Sequence, residues 1–143
     1  MKKTTILILA AALLVAVAAT NLLQAAIRIS SSGKIKTIGV EAYWDAECAQ
    51  PCTNIDWGIL EPNQSVAKTI WIKSTSNTNI TLTLTTENWA PANAENYIAL
   101  TWNRENQILA PNATVEATLT LKVSPSIAGI QNFTFDIIII GSG

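Results

Sequence analysis

Val66-Ala-Lys-Thr-Ile-Trp-Ile-Lys73, then Ser74-Thr-Ser-Asn-Thr-Asn79, then Ile80-Thr-Leu-Thr-Leu-Thr85: this stretch decides the fold class. Val66, Lys68, Ile70 and Ile72 alternate with Ala67, Thr69, Trp71 and Lys73. Ile80, Leu82 and Leu84 alternate in the same way with Thr81, Thr83 and Thr85. A period of two sends successive side chains to opposite faces, so each segment buries one face and wets the other. The Ser/Thr/Asn cluster between them is turn chemistry, and residues 66–87 are expected to form a β-hairpin. A lone hairpin is marginal in water, so the rest of the chain must supply strands that cover its apolar face.

Working outward, further strands are expected over 34–44, 55–57, 97–103, 115–123 and 132–140. The first would align Ile38, Val40, Ala42 and Trp44 on one face, after a flexible Ser30-Ser-Ser-Gly33 joint. In 115–123, Val115, Ala117, Leu119, Leu121 and Val123 alternate with Glu116, Thr118, Thr120 and Lys122, a one-sided strand. The unbroken Ile137-Ile-Ile-Ile140 run predicts burial on both faces. About seven short strands with regular turns read as an all-β sandwich of immunoglobulin-like type. Val115, Leu119, Leu121, Leu82, Leu84, Ile70 and Trp102 are the expected core. Residues 59–73 also align without a gap with residues 108–122, each with Pro-Asn (Pro62-Asn63, Pro111-Asn112) launching a strand. Two copies are too few for a solenoid, and one turn type used twice in a sandwich is the simpler reading.

Met-Lys-Lys followed by fourteen apolar residues, 6–19, with small residues at Ala25-Ala26, reads as a secretory signal peptide over residues 1–26. The rival is a retained membrane anchor, because residues 6–27 approach the roughly 20 needed to span a bilayer. The short apolar core favours cleavage, and in either case the lysines place the rest outside the cell. Residues 27–33 then form an N-terminal extension and 34–143 the domain. Four N-glycosylation sequons begin at Asn63, Asn79, Asn112 and Asn132. Cys48 and Cys52, the only cysteines, are an even pair in an exported chain and are expected to form a disulfide.

Only 13% of the 143 residues are charged, against about 25% in typical domains. The net charge is −1, and it becomes −3 if Lys2 and Lys3 leave with the signal. No basic stripe is present, which argues against nucleic acid as a partner. Histidine is absent, which removes the usual neutral-pH base and the commonest metal ligand. Asp45, Glu47, Asp56 and Glu61 crowd one stretch, but without regular ligand spacing they read as a solvated loop rather than a calcium site. Of the five tryptophans, Trp44, Trp57 and Trp102 share faces with apolar neighbours and are expected in the core, whereas Trp71 is expected at the surface or a contact. No nucleophile has a base beside it, and there is no Gly-rich phosphate loop. The chain is expected to be no enzyme and to need no cofactor.

Ile-Asp-Trp-Gly (55–58), Leu-Glu-Pro-Asn-Gln-Ser (60–65), Ile-Trp-Ile-Lys (70–73), Leu-Ala-Pro-Asn-Ala-Thr (109–114) and Phe-Thr-Phe-Asp-Ile-Ile-Ile (133–139) together resemble small exported archaeal sandwich proteins. These are similar to the TasA-type biofilm fibre proteins and the archaeal bundling pili. The resemblance runs over about residues 35–143, with Asn63 and Asn112 where such turns often carry glycine. It implies an immunoglobulin-like or jelly-roll-like subunit that polymerises with itself by donating an N-terminal strand. Ile27, Arg28, Ile29, Ser30 and Ser31 would be that donor. The expected partners are then other copies, with neighbouring filaments or cell-surface components beyond them, and the membrane only through the N-terminal segment. The alternatives are a membrane-anchored surface domain that binds or adheres, and a type IV pilin-like subunit, whose usual leader junction the Lys3-Thr4 step lacks.

Overall fold

The structure, a computed structural model, describes residues 28–143. The signal or anchor assigned to 1–26, and Ile27 of the expected donor, lie outside the described residues. The described chain is a β-sandwich of nine strands: β1 (Ile29–Ile38), β2 (Val40–Tyr43), β3 (Asn54–Leu60), β4 (Ser65–Ser74), β5 (Ile80–Ala90), β6 (Ile98–Trp102), β7 (Ile108–Leu109), β8 (Thr114–Val123) and β9 (Asn132–Ser142). A 3₁₀ turn, Ala92–Asn96, links β5 to β6. One sheet has the order β3-β1-β9-β5-β7, and the other β2-β4-β8-β6.

The alternating patterns do fix the strands, but they pair differently from the expected hairpin. β4 lies between β2 and β8, while β5 lies in the opposite sheet beside β9. Residues 74–79 therefore form an arch between the layers. The reason is that Ile70 and Ile72 on one strand and Ile80 and Leu82 on the other all need cover, and each is at most 3% exposed when the strands face each other across the core. Ser74 anchors the arch: its amide donates to the Ala113 carbonyl and its Oγ accepts from the Ser76 amide. The two echoed segments are likewise a matched pair of arches, β3 to β4 and β7 to β8. Asn63 (φ 68°) and Asn112 (φ 59°) supply the left-handed residue in each. β4 and β8 then run antiparallel side by side, Ile70 opposite Ala117.

The expected strand over 34–44 is two strands in two sheets. Gly39 has φ +76°, and a Cβ there would collide with the Gly141 carbonyl oxygen, so the chain turns at this glycine and crosses the sandwich. The crossing reverses the facing: Val40 and Ala42 are buried while Ile38 and Trp44 stand out, 60% and 37% exposed. The boundary expected at residue 33 also falls inside a strand. Ser30-Ser-Ser-Gly33 is β1, paired antiparallel with β3 and parallel with β9. Its small residues serve packing rather than flexibility: a Cβ on Gly33 would lie 2.9 Å from Ile137 Cδ1 and 3.3 Å from the Trp57 indole nitrogen.

Ile70, Leu82, Leu119 and Leu121 are fully buried, and Val115, Leu84 and Trp102 pack half-buried against them. In β9 the core takes Phe133, Phe135, Ile137 and Ile139, leaving Ile138 and Ile140 half-exposed on the outer face. The run expected to be buried on both sides is thus covered on one. Trp89, the penultimate residue of β5, stacks on Phe135 with ring centroids 4.2 Å apart.

Gly39→Ala is expected to cost at least about 2 kcal/mol, from left-handed strain and the collision with Gly141 together. Urea unfolding of purified protein measures it, and a loss below about 0.5 kcal/mol would mean that the crossing is not held as described.

Candidate functional site

The two cysteines flank the tip of a β-ribbon. Past β2 the chain turns back on itself: the Trp44 amide donates to the Gln50 carbonyl, Tyr43 bridges to Pro51, and the Cys52 amide donates to the Ala42 carbonyl. This register directs Cys52 into the core, 3% exposed, while Cys48 sits at the tip with φ +59°. Both are free thiols, which corrects the expected disulfide. Cys48 Sγ lies 3.7 Å from Thr114 Oγ1 and 3.8 Å from the Ala46 carbonyl oxygen. Burial pushes the Cys52 thiol up to about 11, with the Asn54 backbone opposing only in part.

The acidic residues around this ribbon do not converge. Asp45 caps the tip, its carboxylate accepting from the Ala49 and Gln50 amides at 2.9–3.1 Å. Asp56 accepts from the Gly58 amide at 2.8 Å, closing the bulge where β3 slips against Ser31 and Ser32. No cluster of three metal-ligating side chains occurs among the described residues. These carboxylates are turn-formers, each answering backbone N–H groups of its own loop. The tryptophans also divide: Trp57 is 3% exposed, Trp102 is half-buried with its N–H on Glu105 at 2.8 Å, and Trp44 leaves the core altogether. Trp71 lies opposite Tyr43 and Glu116 on the outer face.

All four sequon asparagines are exposed. Asn63 accepts a bond from Lys122 Nζ through Oδ1 at 3.0 Å, which leaves its amide nitrogen open to a glycan. Asn132 and Thr134 project together from the start of β9. Asn132 is shared by two shallow recesses at the foot of the sandwich, of about 560 and 540 Å³. Arg28, Pro91 and Ile127 line the first, and Ser32, Asp56 and Ile59 the second. The donor residues have a different place from the one expected. Ile29 is wholly buried and Ser31 is 6% exposed, so both already belong to this chain's own sheet. Arg28 stands exposed just before β1.

The other concentration of polar chemistry is on the outer face of the five-stranded sheet. Lys36 and Asp136 form an ion pair at 2.8 Å, and Asn88 donates to the same carboxylate oxygen at 2.8 Å. Lys36 first, and Asn88 after it, hold the Asp136 carboxyl below the ordinary 3.8. No sequence pattern signals this pair, since its members meet only through the parallel register of β1 and β9.

No family model matches the chain, and no curated protein matches it. Among the described residues no helix is long and apolar enough to cross a membrane.

Two measurements follow from this geometry. Native alkylation without reductant is expected to modify Cys48 alone, and both cysteines after denaturation; failure of both to react once unfolded would establish a disulfide. For Asp136, folding favours the charged form. Its contribution is therefore complete above pH 3.8 and is lost as the pH falls through the lowered folded value. The Asp136 carboxyl is expected to titrate below 3.8 by NMR and to move up in Lys36→Met, and a wild-type midpoint at or above 3.8 refutes the pairing.

Proposed function

We propose that this chain is a structural subunit of an extracellular filament, a pilus or biofilm fibre, in which copies join by exchanging the N-terminal strand. The observation that carries the reading is the place of β1. It lies between β3 and β9 and continues into the rest of the domain through Gly39. A strand so placed is bound on both edges by main-chain hydrogen bonds and by Ile29 and Ile35 in the core. When β1 of one copy enters the sheet of the next, the same bonds and burial recur, so the exchange is nearly balanced in energy. The donor is then the whole of β1, Ile29–Ile38, rather than residues 27–31. Four exposed sequons and a sparsely charged, threonine-rich surface suit a protein that works outside the cell.

A second reading is a membrane-anchored surface domain. It is favoured by the fact that β1 is already seated in its own sheet, so a single copy is complete and needs no donor.

Deleting β1 does not separate the two, because Ile29 and Ile35 are core residues and their loss unfolds either form. A disulfide placed across the exchange does separate them. Ser32 and Thr134 are parallel register partners on the outer face. In a Cys48→Ser background, Ser32→Cys with Thr134→Cys is expected to give a ladder of covalent multimers on non-reducing denaturing gels. Covalently closed monomer alone, from material sheared from cells, refutes strand exchange and supports the anchored domain.

A further inference from the structure

The outer faces of the two sheets differ in a way the fold itself does not require. The face of the four-stranded sheet carries Trp71 and Tyr43 among Thr69, Thr118, Thr120, Glu116, Lys73 and Lys122, with no branched aliphatic side chain. The face of the five-stranded sheet has three isoleucines in contact range at its centre. Ile140 of β9 is the register partner of Ile38 of β1, and Ile138 lies two residues before Ile140 on the same face. Ile38 is 60% exposed. The neighbours on β5 are Thr83 and Thr85, opposite Ile140 and Ile138, short side chains that leave the strip open. An apolar centre on an interior strand, rimmed by threonines and charges, has the composition of an interface core and its rim.

The charges around the strip identify what covers it. One row across the sheet reads Lys34 on β1, Asp136 on β9 and Glu87 on β5. The basic column is on one side of β9 and the acidic end of β5 on the other. We propose that a second copy of this chain docks on this face, related by a two-fold axis running parallel to β9. That operation lays β9 over β9, so Ile138 meets Ile138 and Ile140 meets Ile140. It also lays β1 of each copy over β5 of the other, at the same height along the strand. Lys34 then faces Glu87 of the other copy twice, and Ile38 lies over Thr83. Asp136, close to the axis, is already neutralised by Lys36 at 2.8 Å. A two-fold axis in the contact plane but perpendicular to the strands would instead lay β1 over β1 and β5 over β5, so Lys34 would not meet Glu87 of the other copy. The parallel arrangement points both N-termini the same way, so two copies whose chains leave at Arg28 rise from one surface side by side. Packed sheets tolerate about 30° of relative rotation, which the twist of each sheet supplies.

This contact does not depend on strand exchange, which uses the edges of β1 and not this face. The test uses the full exported chain in a Cys48→Ser background, treated on cells with a short bis-maleimide crosslinker, because facing sheets stand about 10 Å apart and a direct disulfide cannot span that gap. Ile138→Cys is expected to give a covalent dimer in high yield, and Ile140→Cys, the second position near the axis, the same. Thr118→Cys, on the outer face of the other sheet, is expected to stay monomeric. Glu87→Lys added to Ile138→Cys is expected to lower the dimer several-fold, and Lys34→Glu on top of both to restore it. Dimer yields for Ile138→Cys and Ile140→Cys no higher than for Thr118→Cys overturn the proposal. Crosslinking that is indifferent to Glu87→Lys, or unrestored by Lys34→Glu, overturns the parallel two-fold. Filaments that assemble with the Ile138→Cys thiols uncrosslinked would remove this contact and leave strand exchange standing, and dimers without filaments do the reverse.

Discussion

The parallel pairing of β1 with β9 is the constraint on which the rest depends. It joins the first described strand to the last over nine consecutive register pairs, from Ser30–Asn132 to Ile38–Ile140. The five-stranded sheet is built outward from this pair, with β3 added to β1 and β5 to β9. Without it the sheet falls into two unconnected pieces, and Phe133, Phe135, Ile137 and Ile139 lose the strand beside them. The same pairing makes the fold non-local: the sheet cannot close until about a hundred residues separate the partners, so loop-closure entropy is met late. In an exported chain, β1 therefore waits unpaired on that side until the C-terminal strand arrives. Under the proposed strand exchange, that interval is when the strand of another copy would compete on equal terms with the chain's own.

The strands were legible in the sequence, whereas their partners were not, and the reason is physical. Alternation reports that one face of Val66–Lys73 and one face of Ile80–Thr85 must be buried, and it is silent on whether the cover comes from beside or from opposite. A six-residue Ser/Thr/Asn connection fits a loose hairpin as well as an arch between sheets. The arch prevails because it lets Ile70, Ile72, Ile80 and Leu82 bury one another across the sandwich. Two further losses have the same local origin. Gly39 looked like an ordinary strand residue, because nothing in one dimension shows that its missing Cβ makes room for the Gly141 carbonyl. Ser30-Ser-Ser-Gly33 looked like a joint, because small residues serve flexible linkers and tight packing equally. The indole of Trp57 decides for packing.

Candidate sites were legible as residue types and not as arrangements. The sequon asparagines are exposed, since polar turn residues go where water is, and two of them double as the left-handed residue of an arch. Cysteine spacing carried less. Four residues is a short interval, but the β-ribbon alternation points Cys52 inward, and its hydrogen bond to Ala42 fixes that register. The acidic cluster dissolved for a similar reason, because Asp45 and Asp56 each spend their oxygens on nearby backbone amides. The Lys36–Asp136 pair had no signal at all, being made by a register that only the folded sheet defines.

The four isoleucines at 137–140 show how a failed expectation can still carry information. Burial on both faces was the expectation drawn from the composition, and this structure covers only one of them. The sandwich accounts for Ile137 and Ile139 and leaves Ile138 and Ile140 half-exposed. On an edge strand such residues would invite uncontrolled pairing, and proteins usually guard edges with charge or a bulge, as β3 does with Asp56 and the slip at Ser31 and Ser32. β9 is interior and its backbone is already paired, so what its outer face offers is side-chain contact alone. A contact of that kind is weak when single, and it orients neighbours without templating a new strand. In the proposed two-fold dimer, subunits side by side on one surface would use that kind of contact, and Lys34 and Glu87 on either side of the strip would set which way round they meet.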